Sequence, residues 1–172
     1  MSDRDNLQTN TQLLMETTMR TIKQTIMAIA AVIFLASPAW AADTSNSAVA
    51  VQGYDVVGYF TEGKPVKGNG DHVVLHDGLN YLFASDTSKK TFEGNPEKYV
   101  PQFGGWCAFG VGVNKKFVGD PEVWKIVDGK LYLNLSKKVA ELWVKDIPGN
   151  IVKANSNWPN IKDENPTTLN AK

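Results

Sequence analysis

The sequence predicts an α+β domain in which a small antiparallel sheet, built from β-hairpins, is covered by short helices. Two Asp-Gly pairs, at residues 77–78 and 128–129, each separate two apolar segments. This pair favours the tight turn that joins antiparallel strands. Helix-capping residues follow both hairpins: Ser85 or Asp86 after the first, and Ser136 after the second. Hairpins and capped helices in one chain are typical of an α+β domain.

In the first half of the domain, residues 56–60 are rich in β-branched and aromatic side chains and predict a short strand. Residues 62–71 form a loop rich in glycine and lysine. Residues 72–76 and 79–84 then supply the strands of the first hairpin. The helix that follows is predicted to run to about Phe92.

A second short helix is predicted after Asn95 as N-cap, with Pro96 in its first position. The second hairpin pairs residues 124–127 with residues 130–135. Apolar residues alternate along its second strand, so we expect one buried face there, carrying the side chains of Leu131, Leu133 and Leu135.

Two further helices complete the prediction, one from Ser136 through Trp143 and one from Asp146 to about residue 155. Residues 162–172 are polar and predict a flexible tail. Apart from the similarity of the two hairpins, the sequence shows no internal repeat.

The first 41 residues predict a secretory signal peptide. Arg20 and Lys23 precede an unbroken apolar run at residues 26–36, and Ala39 and Ala41 form a signal-peptidase site. Residues 1–18 fit no part of a signal, which favours a translation start at residue 19 (or 15). We therefore expect cleavage after Ala41, export to the periplasm, and a linker at residues 42–49 before the domain.

Charge and composition narrow the classes of partner. The chain carries 18 Lys and Arg residues against 18 Asp and Glu residues, so its formal net charge is zero. A neutral chain without basic clusters argues against a nucleic-acid partner. The apolar run is about half the roughly 20 residues that span a bilayer, so no stable membrane anchor is expected.

The order of several motifs resembles that of the YHS-domain family. Residues 53–60, 81–85 and 92–99 read GYDVVGYF, YLFAS and FEGNPEKY. Residues 104–111 and 124–135, which read GGWCAFGV and WKIVDGKLYLNL, resemble an exported bacterial branch of that family. The resemblance covers residues 50–161 and implies a YHS-like domain there.

The resemblance also implies a link to metals, because YHS modules occur in copper-transporting ATPases and multicomponent hydroxylases, where cysteines suggest metal binding. This chain departs from that pattern. Residues 83–85 read FAS, where a metal-type module would carry a cysteine before the serine. Only the fold is therefore carried over, and no ligand set is.

Cys107 is the single cysteine of the chain, and three roles are open to it: a small core residue, a reactive thiol or a metal ligand. Its neighbours Trp106, Ala108 and Phe109 favour burial. A thiolate ligand would prefer copper or zinc. If the domain binds metal, we expect Cys107 to be the most important ligand, because no other soft side chain follows residue 41.

The other candidate ligands are His72, His76 and Asp55. The two histidines share a face of the predicted strand but lie about 13 Å apart at roughly 3.3 Å per residue, so they cannot both hold one ion on a regular strand. We interpret both histidines as solvent-facing and Asp55 as a turn or cap residue.

An apolar pocket for a small ligand is a further hypothesis, because the mature chain is rich in aromatic residues. The candidate lining residues are Tyr59, Tyr81, Gly105 and Trp106, beside the glycine-rich segment around Cys107.

The function predicted from the sequence is therefore an exported small binding module for a metal ion, copper or zinc, or for a small ligand. It acts as an accessory protein and not as a catalyst, because no histidine lies near Cys107 in sequence to serve as its base. The alternative is a thiol-dependent redox enzyme or sensor that uses Cys107.

Overall fold

The computed structural model describes Met19 and residues 48–172. The predicted signal peptide and residues 42–47 of the predicted linker otherwise lie outside the described residues. The described part confirms the α+β class, because two small sheets pack against short helices. Within this part, no helix combines the length and the apolar character needed to cross a bilayer.

The first half contains three strands and three helices. In chain order they are β1 (Ala48–Val49), α1 (Gly58–Thr61), β2 (Asn69–His76), β3 (Leu79–Phe83), α2 (Asp86–Gly94) and α3 (Pro96–Tyr99). Strands β2 and β3 form the predicted antiparallel hairpin, and β1 adds to the other edge of β3 in parallel. The predicted Ser85 cap is confirmed, since its side chain accepts a hydrogen bond from the backbone of Ser88.

The second half contains the other hairpin and four helices. In chain order they are α4 (Ala108–Gly112), β4 (Asp120–Val127), β5 (Lys130–Asn134), α5 (Lys137–Trp143), α6 (Ile147–Ile161) and α7 (Pro166–Ala171). Strands β4 and β5 pair antiparallel as predicted, and the side chains of Ser136 and Asp146 cap α5 and α6.

The two halves are structural repeats, which corrects the expectation that only the hairpins are similar. We call residues 50–100 the first repeat and residues 102–161 the second repeat. Each begins with a left-handed turn, at residues 51–53 and at residues 103–105, followed by a short helix. In each, the first strand of the hairpin has a register shift, between Asn69 and Val73 and between Asp120 and Trp124.

Backbone hydrogen bonds repeat at the same places. The N–H of Asp55 donates to the carbonyl of Val66 at 2.8 Å, and the N–H of Cys107 donates to that of Phe117 at 2.8 Å. Asp55 and Cys107 are thus equivalent positions. Short-range sequence patterns hide this duplication, because few side chains are shared between the repeats.

Each repeat has its own apolar core. In the first repeat the ring of Tyr81 stacks on Phe92 with centroids 4.9 Å apart, and in the second Tyr132 lies 5.6 Å from Trp143. A third, smaller cluster joins the repeats, because Tyr59 of the first is buried with Leu131 and Leu133 of the second. We infer that the repeats stabilise each other through this cluster.

The region predicted as a strand at residues 56–60 is instead a turn that leads into α1. The strand prediction rests on the β-branched and aromatic side chains of this segment, most of which are buried here in a turn and a helix. The carboxylate of Asp55 accepts hydrogen bonds from the backbone of Val57 and Gly58, and this local bonding favours a turn over an extended strand.

The expected one-sided burial of β5 is also wrong in part. Leu131 and Leu133 are buried as predicted, but Tyr132 and Asn134 on the other face are buried too. Leu135 is 41% exposed, because the strand ends at Asn134. Strand β5 is therefore a two-sided core strand.

The predicted flexible tail at residues 162–172 differs from the structure, which has α7 there with Leu169 buried. The side chain of Asn170 accepts a hydrogen bond from the backbone N–H of Lys116 and donates one to its carbonyl, at 2.9 and 2.8 Å. These contacts tie the end of the chain to the second repeat.

Candidate functional site

Cys107 is fully buried and serves as the N-cap of α4. Its sulfur accepts a hydrogen bond from the backbone of Gly110 at 3.4 Å, and its thiol donates to Oδ1 of Asn134 at 3.6 Å. The same oxygen accepts a bond from the backbone of Phe109 at 3.2 Å. The thiol therefore has a partner both as donor and as acceptor, as a structural residue of the interior requires.

Asp55, at the equivalent position of the first repeat, is also buried and fully engaged. Besides the two bonds within its own turn, its carboxylate accepts one from the backbone of Ala84 at 3.0 Å. The residue ties the start of α1 to the end of β3. Of the two roles expected for Asp55, turn or cap residue, the structure shows the turn.

The four tentative ligands do not form one site. Among the described residues, one group of three or more His, Cys, Asp or Glu side chains has its ligand atoms within 4.8 Å of one another: His76, Asp77 and Glu97. Cys107, His72 and Asp55 are not in it. His72 instead contacts Asp86, with Nδ1 and Oδ1 3.4 Å apart.

In this cluster, which we call the His76 cluster, two carboxylates approach one imidazole nitrogen. Nε2 of His76 lies 3.5 Å from Oε1 of Glu97 and 3.7 Å from Oδ2 of Asp77. The carboxylate side chains are 79% and 85% exposed, whereas Nε2 itself is buried and has no hydrogen-bond partner. A buried nitrogen beside two solvated carboxylates is an arrangement that can accept a cation.

The fold brings the three residues together from different elements. His76 ends β2, and Asp77 begins the hairpin turn with a positive φ of 47°. Glu97 lies in the first turn of α3, directly after Pro96. The imidazole is held by two aromatic rings, those of Phe92 and Tyr81, with centroids 5.6 and 6.1 Å away.

The interpretation of His76 as solvent-facing is therefore wrong for its Nε2 atom, because the rings of Phe92 in α2 and Tyr81 in β3 pack against the imidazole. Sequence reasoning named His76 but missed both carboxylates. The sequence places Asp77 in a turn and Glu97 in a short helix, with nothing to indicate that they meet. Their meeting depends on how α3 folds back onto the hairpin.

The two carboxylates also act on Tyr81. Burial, together with the negative charges of Asp77 and Glu97, raises the pKa of Tyr81 to about 12. The phenol is therefore neutral at physiological pH, and it forms an uncharged wall beside the His76 cluster.

A cavity of about 260 Å³ lies between the two repeats. Of the residues that the sequence suggested as pocket lining, Tyr81, Gly105 and Trp106 line this cavity. Tyr59 does not. Its hydroxyl donates to the carbonyl of Pro121 at 3.0 Å, and its ring packs edge-on against Trp124.

Comparison with known proteins gives one family match. The model of the YHS domain matches residues 57–103, which extend from the start of α1 through the first repeat to the left-handed turn of the second. No curated protein and no solved structure matches the chain. Residues 57–103 are thus identified as a YHS domain.

Proposed function

We propose that the protein is an exported, accessory metal-binding module that holds a divalent ion, zinc or copper(II), at the His76 cluster. The observation that carries the proposal is the convergence of two carboxylates on the buried Nε2 of His76, which has no hydrogen-bond partner. The YHS domain at residues 57–103 also supports metal binding, because this type of domain is associated with copper.

The separations suit a metal ion better than direct hydrogen bonds. Two ligands at about 2.0–2.2 Å from a tetrahedral zinc lie roughly 3.3–3.6 Å from each other. The carboxylate oxygens are 3.5 and 3.7 Å from Nε2 of His76. Both values are longer than a good nitrogen–oxygen hydrogen bond. A small ion between the three atoms would change neither of these two distances by more than a few tenths of an ångström.

The donor set also bears on which ion is held. One imidazole nitrogen and two carboxylate oxygens are borderline-to-hard ligands, which suit Zn²⁺ and Cu²⁺. Cu(I) would need a sulfur ligand, and Cys107 uses its sulfur to cap α4. Three protein ligands leave a coordination position for water or for a further ligand.

The second repeat offers an internal comparison. The position of His76 is taken there by Val127 and that of Asp77 by Asp128, in the equivalent turn. The position of Glu97, two residues after the N-cap, is taken by Pro148. Only the first repeat combines the imidazole with both carboxylates, so we expect one ion per chain.

Isothermal titration with Zn²⁺ tests the proposal. We expect one equivalent of zinc to bind, and His76→Gln or Glu97→Gln to weaken binding by about 100-fold or more, since even outer-shell changes cost 10–100-fold. His72→Gln, on the same strand but outside the cluster, is the matched control and should bind like the unaltered protein.

Two results would contradict the proposal. One is an absence of saturable zinc and copper(II) binding, which would mean that His76 only contacts its two carboxylates and holds no metal. The other is binding that survives His76→Gln but is lost in Cys107→Ser, which would move the site to the thiol.

A further inference from the structure

We propose that the cavity between the two repeats is a second binding site, for an uncharged and largely apolar molecule the size of one or two aromatic rings. The cavity is separate from the His76 cluster, because none of the three residues of that cluster lines the cavity. The inference therefore does not depend on metal binding.

The lining sets the class of ligand. Leu79 and Tyr81 of the first repeat face Trp106 and Leu133 of the second. Among the described residues, no charged side chain lines the cavity. A charged ligand would lose its hydration without gaining a partner, whereas aromatic walls favour a planar apolar ring.

The size of the cavity sets the size of the ligand. A dry cavity of about 150 Å³ lined by apolar side chains is large enough to bind benzene. A cavity of about 260 Å³ leaves room for a fused pair of rings. Val118 is 60% exposed and belongs to the lining, so the cavity opens to solvent and a ligand can enter without unfolding.

The backbone around the cavity is held in an unusual conformation. Val51 and Gln52, which line it, have φ values of 46° and 51°. A positive φ is a genuine outlier for a β-branched residue such as Val51. The equivalent turn of the second repeat has glycine at two of its three positions, Gly104 and Gly105, so conformational strain is concentrated on the first-repeat side.

The strained turn is fixed from across the cavity, because the side chain of Gln52 donates a hydrogen bond from Nε2 to the carbonyl of Gly119 at 2.9 Å. Strain that the surrounding structure maintains clusters at active sites, ligand clamps and switch regions. The hydrogen bond between Gln52 and Gly119 joins the two repeats at the wall of the cavity.

Calorimetric titration with indole tests the site, with indole-3-acetate as a charged counterpart. We expect one indole to bind per chain and the anion to bind at least tenfold more weakly. Val118→Phe should fill the opening and weaken indole binding at least tenfold. The matched control is Val152→Phe, the same change at a 67% exposed position of α6 outside the cavity, which should have no effect.

A measurement on the unaltered protein gives a second readout, which does not depend on whether the variants fold. The side-chain N–H signal of Trp106, assigned through Trp106→Phe, should shift in the NMR spectrum as indole is added. The proposal is overturned if indole shows no saturable binding, if Val118→Phe binds it as well as Val152→Phe does, or if it binds without moving the Trp106 signal.

Discussion

The buried cap at Cys107 gives a prediction that separates a structural thiol from a reactive one. Cys107→Ala removes the acceptor for the backbone N–H of Gly110, which is itself buried, and the donor to Asn134. Loss of a helix cap costs about 1 kcal/mol, and the small void left by the sulfur costs roughly another 1 kcal/mol. We therefore expect Cys107→Ala to lower the free energy of unfolding by about 2 kcal/mol.

Cys107→Ser should cost less than Cys107→Ala, by about 1 kcal/mol, because a hydroxyl can both accept from Gly110 and donate to Asn134 and because serine is a preferred N-cap. Urea unfolding followed by far-ultraviolet circular dichroism measures both variants. A disulfide reagent should label the native protein only at the rate of unfolding. The reasoning is refuted if the serine variant is the less stable of the two, or if the native thiol is labelled within seconds.

Two further predictions concern the first repeat. Asp55→Asn replaces a carboxylate oxygen that accepts from Ala84 with a second donor, so we expect a loss of about 2 kcal/mol in unfolding free energy; chemical denaturation checks it, and an unchanged midpoint would contradict it. The pKa of Tyr81, raised to about 12 by burial, Asp77 and Glu97, exceeds the unfolded value of about 10. The stability that the neutral phenol contributes is therefore complete below pH 10 and lost as the pH rises toward 12. The free energy of unfolding, measured between pH 10 and 12, should fall less steeply with pH for Tyr81→Phe than for the unaltered protein. Identical slopes for the two proteins would disprove the assignment.

Much of the fold follows from local chemistry that a sequence displays. The Asp-Gly turns at residues 77–78 and 128–129 and the caps at Ser85 and Ser136 are set by residues within four positions of each other. The burial of Cys107 could be anticipated from its apolar neighbours. Its hydrogen bond to Asn134 could not, because Asn134 reaches it only through the packing of β5.

The duplication was not evident for a related reason. The repeats share backbone geometry and a few turn and cap positions, whereas their cores use different side chains, such as Phe92 in the first and Trp143 in the second. The equivalence of Asp55 and Cys107 hides it further, since a carboxylate in one repeat and a thiol in the other accept the backbone N–H of the glycine three residues on. The matched hydrogen bonds to Val66 and Phe117 reveal it, together with the left-handed turns and the register shifts of the two hairpins.

The candidate metal site shows where sequence reasoning stops. His76 could be named as a candidate ligand because the chain has only two histidines. Glu97 could not, because it reaches His76 only when α3 turns back on the hairpin after Asn95 and Pro96. A site assembled from a strand end, a turn and a helix start leaves no fixed spacing in the sequence.

The most direct test of the central claim is a crystal structure of the zinc-loaded protein with anomalous data collected at the zinc edge. The account predicts one anomalous peak about 2.0–2.1 Å from Nε2 of His76, with oxygens of Asp77 and Glu97 at about 2.0–2.2 Å. A peak at Cys107 or at His72, or no peak within bonding distance of His76 in protein soaked with excess zinc, would contradict it.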